Sequence, residues 1–414
     1  MHYYPYRKSL KVLHVIPSIN PALGGPTHVV LNLVKALRAA GVDAEIATTN
    51  DWGNGLLEVP LNQCIEYEQV PVWFFKRFSP PLKEFIFSAQ LTRWLWQHTR
   101  DYDLIHTHYL FSYASTCASA IARCQGVPYI MRTIGQLSPW ALAQSRLKKQ
   151  IYTAAIERHN LNHAAAIHCT CVGEAEDVQN FGIETSTITL PLGVEMPPDL
   201  PQARQQLRAR YGIAPETPIV LFLSRLHYKK RPDLLLRSLN QLADKNFHLI
   251  LAGSGELSYI TELKNLTSSL GLSDRTSFPG FVTGYNKQLL LQGADLFVLP
   301  SFSENFGVAV AEAMSHGLPV IVTPGVQIAP EIAAAGAGLV VPGEEEALGK
   351  AIALLLNSPK LRQEFGDNGK RLSYHRYSWQ AITSHLQLVY SSLSQKQPPE
   401  ASSNVELRRS ADKS

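Results

Sequence analysis

The sequence predicts an α/β chain of two doubly wound, Rossmann-like units, on three observations. Short apolar runs alternate with helical stretches through both halves, and that order requires parallel sheets covered on both faces. A proline cluster, Pro191, Pro197, Pro198 and Pro201, separates the halves as a linker. The 414 residues, 45% apolar and 17% charged, suffice for two cores and exclude a fibrous or disordered chain.

In the first half a strand is expected over 11–16, then a loop with Gly24-Gly25-Pro26-Thr27 and an amphipathic helix over 28–40 that Gly41 closes. Paired glycines let a phosphate or sugar approach backbone N–H groups, the plainer reading being a simple turn. A strand covers 43–49. Residues 51–81, rich in aromatics, prolines and glycines without a period, read as a variable loop. A helix over 82–99 leads to a strand over 103–107. Alternation sets His106 and His108 on one face of that strand end, but no third ligand lies nearby in sequence, so no metal is assigned. Asp101-Tyr102-Asp103 matches an Asp-x-Asp metal motif at the wrong end of its strand.

A helix over 113–125 and a strand over 129–133 precede Ile134-Gly135-Gln136-Leu137-Ser138-Pro139-Trp140. The helix expected over 143–163 carries Arg146, Lys148, Lys149 and Arg158 beside Leu147, Ile151 and Leu161, either a core stripe with a solvated face or a basic membrane-facing surface. Strands over 166–171 and 187–190 lead into the linker. The second half alternates strands over 219–224, 248–252, 296–299 and 320–322 with helices over 234–242, 259–270 and 308–316. Gly253-Ser254-Gly255-Glu256 again opens a helix after a strand.

The net charge of +4 is too small over this length to imply nucleic acid. Cys64, Cys117, Cys124, Cys169 and Cys171 have neither disulfide nor zinc spacing and read as buried thiols in a reducing cytoplasm. The N-terminal basic residues precede an apolar run too short for a signal peptide or membrane span.

Pro300 to Met314 reads as the organising stretch: a loop after a buried strand, then a helix whose first N–H groups, from Asn305 through Phe306 and Gly307 to Val308, face an anion. Glu304 and Glu312 flank it with seven residues between them. A carboxylate takes two O–H donors such as ribose or sugar hydroxyls, so the pair suits a nucleotide-sugar, the plainer reading being two solvated charges. Upstream, Arg225 and Lys230 lie in the loop beyond another strand's carboxyl end, where open parallel sheets bind ligands, and are placed to neutralise a diphosphate.

Together these segments resemble the donor site of the retaining glycosyltransferases of family 4, the GT-B class, with their Arg and Lys pair and Glu-x7-Glu motif. The resemblance implies two Rossmann-like domains facing a central cleft: an acceptor-side domain over 1–200, joined by a C-terminal helix over 378–394 that crosses back to it, and a donor domain over 201–377. The tail 395–414, polar with two prolines, is expected to be disordered. It implies Arg225, Lys230 and Glu304 as catalytic, and Gly24, Gly25, His108, Phe281, Val282, Asn305, Phe306, Gly307, Val308 and Glu312 as donor-binding. Phe278-Pro279-Gly280-Phe281-Val282 resembles the segment whose backbone reads the base, and His108 lines the donor-sugar pocket. Many relatives have a His immediately before Gly135, where this chain has Ile134.

The implied activity is retaining transfer of a hexose from a nucleotide-sugar to a saccharide or lipid-linked saccharide, without metal or other cofactor. The segments 132–140 and 323–331 look most like bacterial, especially cyanobacterial, exopolysaccharide glycosyltransferases. Alternatives of other classes are a sugar-nucleotide epimerase or phosphorylase of the same fold, which lacks an acid–base signature here, and a non-catalytic nucleotide-sugar binder. The expected place is the cytoplasm, with peripheral contact to the inner face of the plasma membrane through the N-terminal domain.

Overall fold

Branched apolar runs bounded by glycine, proline and polar turns make the strands, and the computed structural model describes them over residues 9–20, 25–53, 55–78, 86–143, 157–242 and 244–394. The chain divides into two units, Met1–Gly193 with Ile382–Ser414, and Val194–Ala381. Both sheets are α/β and Rossmann-like.

In the first unit the strands are β1 (Lys11–Val15), β2 (Asp43–Thr49), a small ladder of β3 (Asp51–Trp52) with β4 (Gly55–Leu56), β5 (Cys64–Tyr67), β6 (Val70–Phe75), β7 (Leu104–His108), β8 (Tyr129–Arg132), β9 (Ala166–Cys169) and β10 (Thr187–Thr189). Eight of them form one sheet in the order β10-β9-β8-β7-β1-β2-β6-β5. All its pairs are parallel except β5 with β6. The loop expected over 51–81 is thus corrected: 64–75 is a hairpin that extends the sheet. Its strands escaped notice because β5 alternates exposed and half-buried residues at the edge, and Pro71 interrupts the β6 pattern.

One face of this sheet is apolar, with Leu13, Val15, Ile105, Met131 and Ile167 buried under the helices Ala89–His98 and Tyr113–Gln125. The other carries a buried polar row, because parallel register sets His14 beside His106, His108 beside Arg132, and Arg132 beside His168. Tyr390, from the helix Trp379–Ser394, closes over it with its hydroxyl 2.7 Å from His106 Nδ1. His168 Nδ1 lies 3.3 Å from His106 Nε2, and its Nε2 donates to the Leu190 carbonyl at 2.9 Å.

The second unit has β11 (Ile219–Leu223), β12 (His248–Ala252), β13 (Thr276–Gly280), β14 (Leu296–Leu299), β15 (Val320–Val322) and β16 (Gly338–Val340), all parallel, in the order β13-β12-β11-β14-β15-β16. Asp295, just before β14, takes the Ile219 N–H and Arg208 Nη2, both at 2.7 Å, which locks the helix Ala203–Tyr211 to the sheet. Beyond β15 the structure adds helices Ala329–Ala335, Glu345–Asn357 and Pro359–Leu372, where the sequence reading placed no elements.

Cys169 and Cys171 are buried, whereas Cys64 on the edge strand and Cys124 at a helix end are exposed, so the reading of five buried thiols is corrected. The expectations for Arg146, Lys148 and Lys149 and for the tail 395–414 fall outside the described residues. No described helix is long and apolar enough to cross a membrane.

Burial, with the Arg132 charge adding to it, pulls His14 and His168 down to about 3, and burial beside other imidazoles holds His106 and His108 well below the ordinary value. In the unfolded chain each titrates near pH ~6.5, so below that pH the unfolded state binds protons the folded state does not. Stability of the first unit is expected to be full above pH ~6.5 and to fall toward pH 3, by up to about 1.4 kcal/mol per pH unit for each imidazole. Tryptophan fluorescence reports mainly this unit, which holds Trp52, Trp73, Trp94, Trp96 and Trp140. Its urea midpoint should drop between pH 7 and 5; an unchanged midpoint would mean these rings are not buried neutral.

Candidate functional site

The order of the second sheet reverses between β11 and β14, and the loops leaving their carboxyl ends stand side by side at that switch point. The loop after β11 is held by Leu226, whose N–H donates to the Ser254 carbonyl at 2.7 Å, and ends in a tight turn at Tyr228–Lys230. His227 caps that turn, its Nδ1 accepting the Lys229 N–H at 3.2 Å. Arg225 is exposed and Lys230 buried. The loop after β14 is zipped to the loop after β15: the Glu304 N–H donates to Gly325 O at 2.8 Å and the Gln327 N–H to Glu304 O at 3.1 Å.

Two contacts join these loops. The Phe302 N–H donates to the Lys229 carbonyl at 2.9 Å, and Lys230 Nζ forms an ion pair with Glu304 Oε1, which also accepts from Ser301 Oγ at 3.2 Å. Burial pulls the Lys229 ammonium below its ordinary value, with repulsion from Lys230 adding to it. Of the sequence-expected residues, Lys230 and Glu304 are therefore brought together, while Arg225 stands exposed earlier in the same loop.

Gly307, at φ +82°, turns the chain into the helix Val308–Ser315, and Phe306 is buried edge-on against Tyr377 with ring centroids 5.4 Å apart. Asn305 and Val308 are half-buried beside it. Glu312 lies in this helix, with Lys287 Nζ 2.6 Å from its Oε1. Lys287 is a functional candidate that the sequence reading missed; it lies in the helix Gly284–Gly293, just after Phe281 and Val282. Phe281 is 73% exposed past the end of β13, and Val282 is half-buried. Gly253, at φ +149°, follows β12; a Cβ there would stand 1.8 Å from the Ser224 carbonyl oxygen, so only glycine lets the two loops pass.

In the first unit Gly24 lies outside the described residues. Gly25 opens the helix Gly25–Ala39 and is exposed, and an added Cβ would meet nothing within 4 Å. His108 ends β7 fully buried; its Nε2 is 3.0 Å from His14 Nδ1, and its Nδ1 has no partner among the described residues.

Sequence reasoning missed His14, because it lies 94 residues from His108 and only the pairing of β1 with β7 joins them. His14, His106 and His108 each offer a nitrogen within 4.8 Å of the others. The Arg132 guanidinium, which lowers the proton affinity of all three, opposes a metal dication there as it opposes the proton. The Asp101-Tyr102-Asp103 motif is consumed structurally: Asp103 accepts the Lys11 N–H at 2.8 Å, Tyr102 donates to Glu45 at 2.6 Å, and Asp101 pairs with His98 at 2.9 Å.

Two family patterns match the chain: residues 24–193 match the glycosyl transferase 4-like domain, and residues 203–372 match glycosyl transferases group 1. The chain is 27% identical over 413 aligned positions to D-inositol 3-phosphate glycosyltransferase 2 of Catenulispora acidiphila, covering 94% of this chain and 96% of that one. Among solved structures it is similar to Anabaena Alr3699/HepE in complex with UDP, with a TM-score of 0.75 at 21% identity, covering 93% of this chain and all of that one. It is similar also to sucrose-phosphate synthase from Thermosynechococcus elongatus, with a TM-score of 0.74 at 21% identity over 93% and 99% of the two chains. The two-sheet GT-B fold is shared with both.

Removing the anion of the Lys230–Glu304 pair leaves a buried ammonium without its counter-charge. Glu304→Gln is expected to destabilise the second unit by about 2–3 kcal/mol, at the low end of a broken buried pair because both side chains keep some exposure. Urea denaturation of the two proteins checks this; equal midpoints would mean that the pair contributes nothing to folding.

Proposed function

Because the chain belongs to the GT-B glycosyltransferases of the family 4 type, we propose that it is a retaining hexosyltransferase. In this reading it moves a hexose from a nucleotide-sugar to a hydroxyl of a saccharide or lipid-linked saccharide during exopolysaccharide assembly. One observation carries the reading: Lys230 and Glu304 pair at the switch point of one parallel sheet, with Arg225 in the loop of the first and the helix Val308–Ser315 starting four residues after the second.

The transition state of glycosyl transfer gathers negative charge on the departing diphosphate, so the largest protein contribution is positive charge fixed in advance. On donor binding, Lys230 exchanges Glu304 for the diphosphate, and Arg225 and the N–H groups at the helix start meet the remaining oxygens. Glu304, released from its ion pair, accepts hydroxyls of the sugar and orients the anomeric carbon. Glu312 accepts the ribose hydroxyls while Lys287 holds its carboxylate in place. Phe281 and Val282 present backbone groups to the base. Retention follows from attack on the face the diphosphate leaves. These charges replace a metal ion.

The HepE complex with UDP-glucose supports a UDP-hexose as the first donor to test. A panel of UDP-, GDP- and ADP-sugars scored by thermal shift and by slow donor hydrolysis tests the reading, since a pure binder shifts without hydrolysing. Arg225→Ala and Lys230→Ala are each expected to lower turnover by about two to three orders of magnitude, the usual loss for one transition-state charge. Near-native turnover in either variant removes the donor-site assignment. Activity should persist in excess chelator; a loss that magnesium or manganese restores overturns the metal-free reading.

A further inference from the structure

Arg132 ends β8 and is 1% exposed, yet its Nε and Nη1 have no hydrogen-bond partner among the described residues. The groups around it are neutral or already engaged. His14, His106, His108 and His168 face it from β1, β7 and β9, and Tyr109 and Tyr390 from the loop after β7 and the closing helix. The acid whose charge reaches it, Glu174, makes no ion pair with it. Both Glu174 oxygens instead serve the loop: Oε1 accepts Thr133 Oγ1 at 2.5 Å and the Gly135 N–H at 2.6 Å, and Oε2 accepts the Thr170 N–H and Oγ1 at 2.7 Å. The stretches 21–24 and 144–156 contain neither Asp nor Glu.

A buried guanidinium without a counter-ion is costly, and among the described residues this one has none and satisfies no acceptor through Nε or Nη1. Burial pulls it down to about 10, against the opposing pull of the Glu174 charge. It stands at the carboxyl edge of the sheet, one strand from His108 and two from the loop that follows β1. Its planar fork of N–H groups fits two oxygens of one anion.

We infer that Arg132 binds an oxyanion of the acceptor, a phosphate or the carboxylate of a uronic acid, so that the acceptor of this transferase is anionic. The assignment to the acceptor rests on the transfer reading above; anion binding by Arg132 does not. Tyr109, near enough to act on the Arg132 charge, and Ile134, two residues on, are both at positive φ.

The test titrates inorganic phosphate, and separately glucuronate, into the full chain carrying Arg225→Ala and Lys230→Ala, so that the second unit's cations do not contribute. The melting temperature and calorimetric heat are read with and without Arg132→Met. At least one anion at millimolar concentration should raise the melting temperature, and Arg132→Met should abolish the rise. Phosphate alone acting assigns a phosphorylated acceptor, and glucuronate alone a uronate-bearing one.

In anion-free buffer Arg132→Met should melt at or above its parent, since a buried unpaired charge has been removed. No response of the parent to either anion overturns the inference, as does a response that survives Arg132→Met. A fall of many degrees in anion-free buffer would instead make Arg132 a structural residue. If Arg132→Met does not fold, the parent titration and Arg132→Lys, expected to respond more weakly, decide. Loss of UDP affinity on replacing Arg132 in the otherwise native chain would move the anion to the donor's diphosphate and sink the acceptor assignment.

Discussion

The ion pair between Lys230 and Glu304 holds the candidate site together. Each partner sits on a loop that leaves the sheet at the point where strand order reverses, and such loops diverge unless something ties them. The backbone bond from Phe302 to Lys229 fixes their register, and the zipper from Glu304 to Gly325 and Gln327 fixes the second loop against the third. In the proposed function this pair is what donor binding exchanges. A diphosphate offers Lys230 more charge than a carboxylate does, and sugar hydroxyls offer Glu304 neutral donors in return.

The first unit poses a different problem, because half of its central sheet face is polar. A row of imidazoles can be buried at modest cost if all stay neutral and bond to one another, and Tyr390 and the Leu190 carbonyl extend that network, which leaves His14 Nε2 and His108 Nδ1 without partners among the described residues. Burial keeps the imidazoles neutral, and repulsion from Arg132 adds to it. The same charge makes the row unsuited to a dication and suited to an anion.

Much of this was legible in the chain. The 2-residue and 3.6-residue periods located four strands and three helices of the second unit up to β15, since fully buried parallel strands read as continuous apolar runs, and missed the half-buried β13 and the helices Ala203–Tyr211 and Gly284–Gly293. Arg225, Lys230 and Glu304 were legible because each lies just beyond such a run. The hairpin at 64–75 was not, since an edge strand with one wet face carries a weak pattern. Lys287 was not either, because a lysine in an amphipathic helix looks like any solvated charge until Glu312 is seen 2.6 Å away.

The sequence by itself determined which residues could be strand, loop and helix, and hence where the cations and carboxylates stand along the chain. Only the tertiary structure decided which of them meet. His14 and His108, and Lys230 and Glu304, are joined by strand pairings between residues 92 and 76 apart in the chain, respectively. Local periodicity carries no information about such pairings, because they are chosen by the burial of whole sheets. Whether a charge has a partner is likewise a property of the packed interior: Arg132 reads as an ordinary strand-end arginine until its neighbours prove to be neutral rings and a carboxylate already spent on the loop beside it.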